Sequence, residues 1–145
     1  MEIFVDADAC PVKKIIVELA KKYGISVTML IDTSHVLDDG YSKIITVEQG
    51  RDSVDFKLIG LIKKGDVVVS QDYGVAAMAL GKQAFALNQN GLIYTDENIE
   101  RLLFERHIGQ EQRRNGRHCE SIPKRKKADD DAFRTAFEGI ISPQN

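Results

Sequence analysis

The feature that most constrains this fold is a run of three valines, Val67 to Val69, closed by Ser70 and set between Asp66 and Asp72. β-Branched side chains are stiff at χ1, which suits a pleated strand better than a helix. The run has no polar residue at alternate positions and so no wet face. That pattern marks a strand of a parallel sheet with both faces covered. Parallel strands cannot be joined by tight hairpins, so the remaining chain has to supply crossover segments.

It supplies them. Residues 2 to 6 read as a first strand, and Pro11 suits the first turn of a helix, where its missing N–H would be unpaired anyway. Val12, Ile15, Ile16, Leu19 and Ala20 then repeat at helical spacing, and Gly24 stops the helix. Val27 to Ile31 and Lys43 to Val47 are two further strands, the second after an Asp-Asp-Gly turn at 38 to 40. Asp52 or Ser53 caps a helix expected to run to Lys64 and end at Gly65. After the valine strand, Asp72 opens a third helix ending at Gly81, and Ala84 to Leu87 is a fifth strand. Thr95 caps a fourth helix through Ile99, Leu102 and Leu103. A basic, Gly-containing loop over residues 109–127 follows, and a short amphipathic helix near 130–139 comes last.

Strands alternating with helices predict an α/β fold, a three-layer α/β/α arrangement around a mainly parallel sheet. No repeat or linker divides the chain, and 145 residues suit one domain spanning 1–145. Cys10 and Cys119 share no CxxC or metal-ligand spacing, which points to a reducing compartment. No stretch approaches the length of a membrane span, so the expected setting is cytoplasmic, away from membrane. The net charge of −2 gives no support to a generic nucleic-acid binder, but the charge is uneven. Arg101 to Lys127 carries nine Lys or Arg against three Glu, a basic segment on an acidic body.

In a parallel sheet ligands bind beyond the carboxyl ends of the strands. Asp6 and Asp8 follow the first strand, and Asp72 follows the valine strand, so all three reach that edge. Asp55 shares the apolar face of its helix with Leu58, Ile59 and Ile62, and Asp52 lies one turn before it. Like charges about 4 Å apart repel by roughly 4 kcal/mol at an effective dielectric near 20. Either the pKa values rise or a cation is present. An all-oxygen cluster suits Mg²⁺ or Mn²⁺, and such a site suits phosphodiester hydrolysis. Each acid also has a plainer role: Asp72 and Asp52 as helix caps, Asp8 as a turn residue. Asp6 has no cap to serve.

Three blocks, FVDADACPVK at 4–13, GRDSVDFKLIGLIKKGDVVVSQDYGVAAMAL at 50–80 and RRNGRH at 113–118, closely resemble the YaiI/YqxD family of bacterial proteins. That family in turn resembles divergent PIN-like metal-dependent nucleases, which carry an acid after the first strand, an acid on a middle helix, and Ser/Thr-x-Asp after a later strand. Asp6, Asp55 and Ser70 to Asp72 stand in those places. The resemblance implies a PIN-like fold, metal ligation by Asp6, Asp55 and Asp72, accessory ligation or water positioning by Asp8 and Asp52, and an accessory Ser70. PIN-like proteins often use Glu on the middle helix; two Asp here leave open which one is the ligand.

The basic segment offers Arg113, Arg114, Arg117, Lys124, Arg125, Lys126 and Lys127 as phosphate-backbone contacts. It has no aromatic residue, so contacts with single-stranded RNA would be sequence-tolerant. The alternative is a solvated loop. His35, His107 and His118 share no metal spacing, and Cys10 beside a helix start is expected to have a lowered pKa. Three functions fit: an Mg²⁺- or Mn²⁺-dependent nuclease acting on RNA, a haloacid-dehalogenase-like phosphatase, and a non-catalytic RNA- or protein-binding module. The phosphatase would use Asp6, Asp8 and Ser70, but Cys10 stands where Thr or Val is expected.

Overall fold

The computed structural model describes residues 1–32, 37–48, 53–114 and 124–143. In chain order these form β1 (Ile3–Asp6), α1 (Lys13–Tyr23), β2 (Val27–Asp32), β3 (Lys43–Val47), α2 (Ser53–Leu61), β4 (Val67–Val69), α3 (Tyr73–Gly81), β5 (Phe85–Leu87), α4 (Asp96–Arg114) and α5 (Lys127–Ile141). The sheet order is β3-β2-β1-β4-β5, and every neighbouring pair is parallel. From β1 the chain winds outward through β2 and β3, then returns to build β4 and β5 on the other side. The winding reverses between β1 and β4, which makes the gap above their carboxyl ends the topological switch point.

The alternation of side chains along each strand divides the core in two. Ile3, Val5, Met29, Ile31, Val67 and Val69 face α1 and α5, where Ile16, Leu19, Ala20, Phe133, Phe137 and Ile141 meet them. Phe4, Leu30, Val68 and Ala86 face the opposite side, against Leu58 and Ile62 of α2, Val75, Ala76 and Ala79 of α3, and Ile99 and Leu102 of α4. The valine strand is apolar throughout because both its faces are buried: Val67, Val68 and Val69 are at most 2% exposed. The three-layer α/β expectation holds, with helices on both faces of a fully parallel sheet.

Between β2 and β3 the described residues 37–42 contain no helix. Leu37 and Tyr41 pack against the α1 side of the core instead, and the Tyr41 hydroxyl donates to the Ile25 carbonyl. α1 and α5 lie side by side, tied by Arg134 to Glu18 at 2.9 Å and by Lys22 and Tyr23 to Glu138 at 3.0 and 2.9 Å. Gly91, at φ +84°, lets the turn after β5 sit directly on the second turn of α5. A Cβ there would lie 2.6 Å from the Ala132 carbonyl oxygen.

Several element boundaries differ from the sequence expectation. α1 begins at Lys13, not at Pro11, because Ala7 to Val12 form a turn in which Ala9 adopts φ +58°. α2 stops at Leu61 rather than Lys64, since the Lys63 N–H turns to the Asp66 carboxylate at 2.9 Å. Residues 109–114, expected in the basic loop, are the end of the nineteen-residue α4. α5 runs from 127 to 141 and is longer than the segment near 130–139.

Candidate active site

The register of the central strands assembles the site. Val5 pairs with Val69, so the residues that follow, Asp6 and Ser70, come level above the β1–β4 gap. The buried Ser70 hydroxyl donates to Asp6 Oδ2 at 3.3 Å and accepts the Asp72 N–H at 3.0 Å. The Tyr94 hydroxyl, itself pushed upward in pKa by burial, holds the Ser70 carbonyl from beneath at 3.2 Å.

Asp72 is the N-cap of α3. Its Oδ1 accepts the N–H groups of Gly74 at 2.8 Å and Val75 at 3.4 Å, pairing two of the orphan donors at the helix start. Asp8 is in the turn after β1, and its Oδ2 accepts the Asp32 N–H at the end of β2, 3.1 Å away. Asp55 is in the first turn of α2, half-buried, and near enough for its charge to act on Asp6. Together these carboxylates act on Asp6. Burial is the main cause that pushes the Asp6 pKa up from 3.8 to about 6, followed by the negative field of Asp55. The Ser70 hydrogen bond opposes the rise, and Asp8 and Asp72 add smaller repulsions. The four acids therefore share one electrostatic environment centred on Asp6.

A cleft of about 610 Å³ opens above the gap, lined by Asp6, Asp8, Ala9, Gln71, Asp72, Tyr73 and Arg106. Gln71 Nε2 donates to the Ala9 carbonyl at 3.2 Å and closes one wall. Among the described residues no three His, Cys, Asp or Glu side chains stand close enough to hold a metal ion between them.

The remaining predicted residues are spread differently. Asp52 and Arg117 lie outside the described residues. Arg113 and Arg114 end α4, and Lys124, Lys126 and Lys127 are exposed around the start of α5. Arg125 is a clamp. Its guanidinium donates to Asp130 at 2.8 Å, to Asn90 Oδ1 at 2.7 Å and to the Gln89 carbonyl at 2.7 Å, pinning the start of α5 to the turn after β5. Cys10 departs from expectation: it is buried, and burial raises its thiol pKa instead of lowering it.

Two residues at this edge escape sequence reasoning. Asp32 ends β2 as Asp6 ends β1, and the parallel "LID" and "FVD" endings were a visible signal for it. Arg106, on α4, is 3.5 Å from Asp72 Oδ1 and had no sequence signal beyond the local excess of charge.

The double role of Asp72 can be separated. Asn caps a helix about as well as Asp, while Ala costs about 1 kcal/mol at such a position. Asp72→Asn is expected to keep the urea midpoint of the wild type, and Asp72→Ala to lose about that amount. Equal loss in both would show that the charge, not the cap, stabilises the protein.

The fold and the cleft define a doubly wound α/β domain with an acidic site at its switch point. The chain belongs to the uncharacterized YaiI/YqxD family, whose model matches residues 4–143. It is similar to UPF0178 proteins of Ruminiclostridium cellulolyticum, 63% identical over all of this chain and 95% of the relative, and of Alkaliphilus oremlandii, 58% identical over 92% and 86%. A third, from Lachnoclostridium phytofermentans, is 54% identical over 97% of each chain. Among solved structures, a point mutant of Rae1 (YacP) from Bacillus subtilis aligns over 80% of this chain and 84% of its own, with 18% identity and a TM-score of 0.46. Among the described residues, no helix is long and apolar enough to cross a membrane.

Proposed function

We propose that this chain is a PIN-like, Mg²⁺- or Mn²⁺-dependent nuclease that cleaves single-stranded RNA in the cleft above β1 and β4. The observation that carries this reading is the crowding of Asp6 by Asp55, Asp8 and Asp72 at the switch point, with the Asp6 pKa raised to about 6. Such crowding is unfavourable in the bare protein and is relieved by a cation.

The donor set fits a hard cation that keeps most of its water. Mg²⁺ is commonly held by one or two carboxylates together with substrate phosphate, not by a closed cage of protein ligands. That accords with carboxylates that share a field without forming a tight triad. Asp6 and Asp55 would hold the ion, with Asp8 and Asp72 as further candidates; Asp52, a candidate from the sequence, lies outside the described residues. The ion would polarise the scissile phosphate and lower the pKa of a bound water. Ser70 keeps Asp6 oriented. The Asp8 bond to the Asp32 amide fixes the turn that forms the wall of the cleft, and Asp72 locks the start of α3 in place. The 124–127 segment reaches the same edge through Arg125, and the exposed Lys124, Lys126 and Lys127 extend the positive charge along an incoming strand.

The test is calorimetric titration of Mn²⁺ and Mg²⁺ into the wild type and Asp6→Asn, with and without a short single-stranded RNA, followed by a cleavage assay. Metal binding that disappears in Asp6→Asn, together with metal-dependent cleavage, supports the proposal. Absence of binding in the wild type even with RNA overturns it. Turnover of p-nitrophenyl phosphate without RNA cleavage would favour the phosphatase instead.

A further inference from the structure

We infer that Arg106 is the residue that grips the substrate phosphate in the acidic cleft. This inference rests on the nuclease reading of that cleft and adds the group that lets a polyanion enter it. Among the described residues lining the cleft, which include Asp6, Asp8 and Asp72, Arg106 is the sole cation, and it lies 3.5 Å from Asp72. Phosphodiester oxygens approaching those carboxylates are repelled, and a guanidinium on the facing wall offsets that repulsion while offering paired donors that match phosphate geometry.

Its present contact does not account for its position. Arg106 meets Asp72 through one nitrogen at 3.5 Å, with 47% of its side chain exposed, an arrangement that stabilises a protein little. Asp72 Oδ1 is already engaged by the Gly74 and Val75 N–H groups, so the cap does not need the guanidinium. The helix that carries Arg106 is firmly set. Thr95 and Asn98 cap it reciprocally at 2.9 and 3.2 Å, and Ile99 and Leu102 are buried against α3 and the sheet. Arg106 follows Leu102 by four residues on the same face, which delivers it to the cleft at the level of Asp72. A rigid helix thus presents a loosely held guanidinium to an acidic cleft, an arrangement suited to exchanging a carboxylate for a phosphate.

The experiment measures binding of octauridylate with phosphorothioate linkages, in the presence of Mg²⁺, by fluorescence anisotropy across a series of salt concentrations. Wild type, Arg106→Ala and Arg106→Lys are compared. Arg106→Ala is expected to bind at least tenfold more weakly, as loss of a charge-assisted hydrogen bond implies. Its slope of log affinity against log salt should be shallower by about 0.7, the value for one phosphate contact on a single strand. Arg106→Lys should restore the slope and only part of the affinity. Unchanged affinity in Arg106→Ala, weaker binding with an unchanged slope, or no binding by the wild type overturns the inference. Cleavage of the unmodified oligonucleotide is assayed in parallel. A wild type that binds through Arg106 but never cleaves defeats the nuclease reading and leaves the phosphate contact standing.

Discussion

Replacing Asp6 by Asn is expected to stabilise the metal-free protein at pH 8 by up to about 3 kcal/mol and to leave its stability at pH 3 unchanged. The folded state holds the Asp6 proton more tightly than the unfolded chain does, with a pKa of about 6 against 3.8. Below pH 3.8 the group is protonated in both states and contributes no difference. Between pH 4 and 6 the unfolded chain ionises first, so wild-type stability falls as pH rises, and above 6 the full penalty is present. Asn keeps the shape and can still accept the Ser70 hydroxyl, but it has no charge to bury. Urea titrations in EDTA at the two pH values measure the effect. A variant no more stable than wild type at pH 8 would mean that the carboxylate is better solvated than its burial indicates. Adding Mn²⁺ should narrow the gap by stabilising the wild type alone, since a ligand that binds only the folded state raises its stability.

Phe133→Ala is expected to cost about 3–5 kcal/mol, the usual range for truncating a buried aromatic ring. Phe133 is fully buried and stacks on Phe137 with ring centres 5.2 Å apart and planes 15° apart. Both rings lie over Ile3, Val5, Val67 and Val69, so removing one opens a void above the two central strands. For a chain of this size the melting temperature should fall by roughly 10 °C. A loss below about 1 kcal/mol would show that α5 contributes little to that face of the sheet. Phe133→Leu, which keeps most of the volume, should lose much less.

The fold is legible in the sequence where local pattern and tertiary burial agree. Strand β4 and the carboxyl-edge position of Asp6 and Asp72 follow from local pattern together with the rule for parallel sheets, because the same β-branched run that favours a strand also fills the two-sided core. Structure departs from local pattern where a local signal is outweighed. Gly109 opens the segment expected as a loop, yet a single glycine costs a helix only about 1 kcal/mol. Neighbouring Arg101–Glu105 and His107–Glu111 pairs, at 3.0 and 3.3 Å, support the helix around it. Pro11 marked a helix start, but the chain first spends a turn in which Ala9 takes a left-handed conformation. Arg106 was invisible because its position depends on how far α4 runs along α3, a tertiary distance that no spacing in the sequence records. Arg125 looked like its basic neighbours, and only its contacts with Gln89, Asn90 and Asp130 set it apart.

The covering of β1 by α5 has a consequence for synthesis. Translation makes β1 first, yet the partners that shelter one of its faces, Phe133 and Phe137, emerge more than a hundred residues later. The hydrogen bond from Ser70 to Asp6 spans 64 positions. Contacts this distant along the chain form slowly, since the intervening loop must be closed before they contribute. The nascent chain therefore carries a sheet whose α1 face is only partly covered until its final described helix arrives. The acidic cleft, whose walls come from both windings of the sheet, takes shape only after β1 and β4 have met.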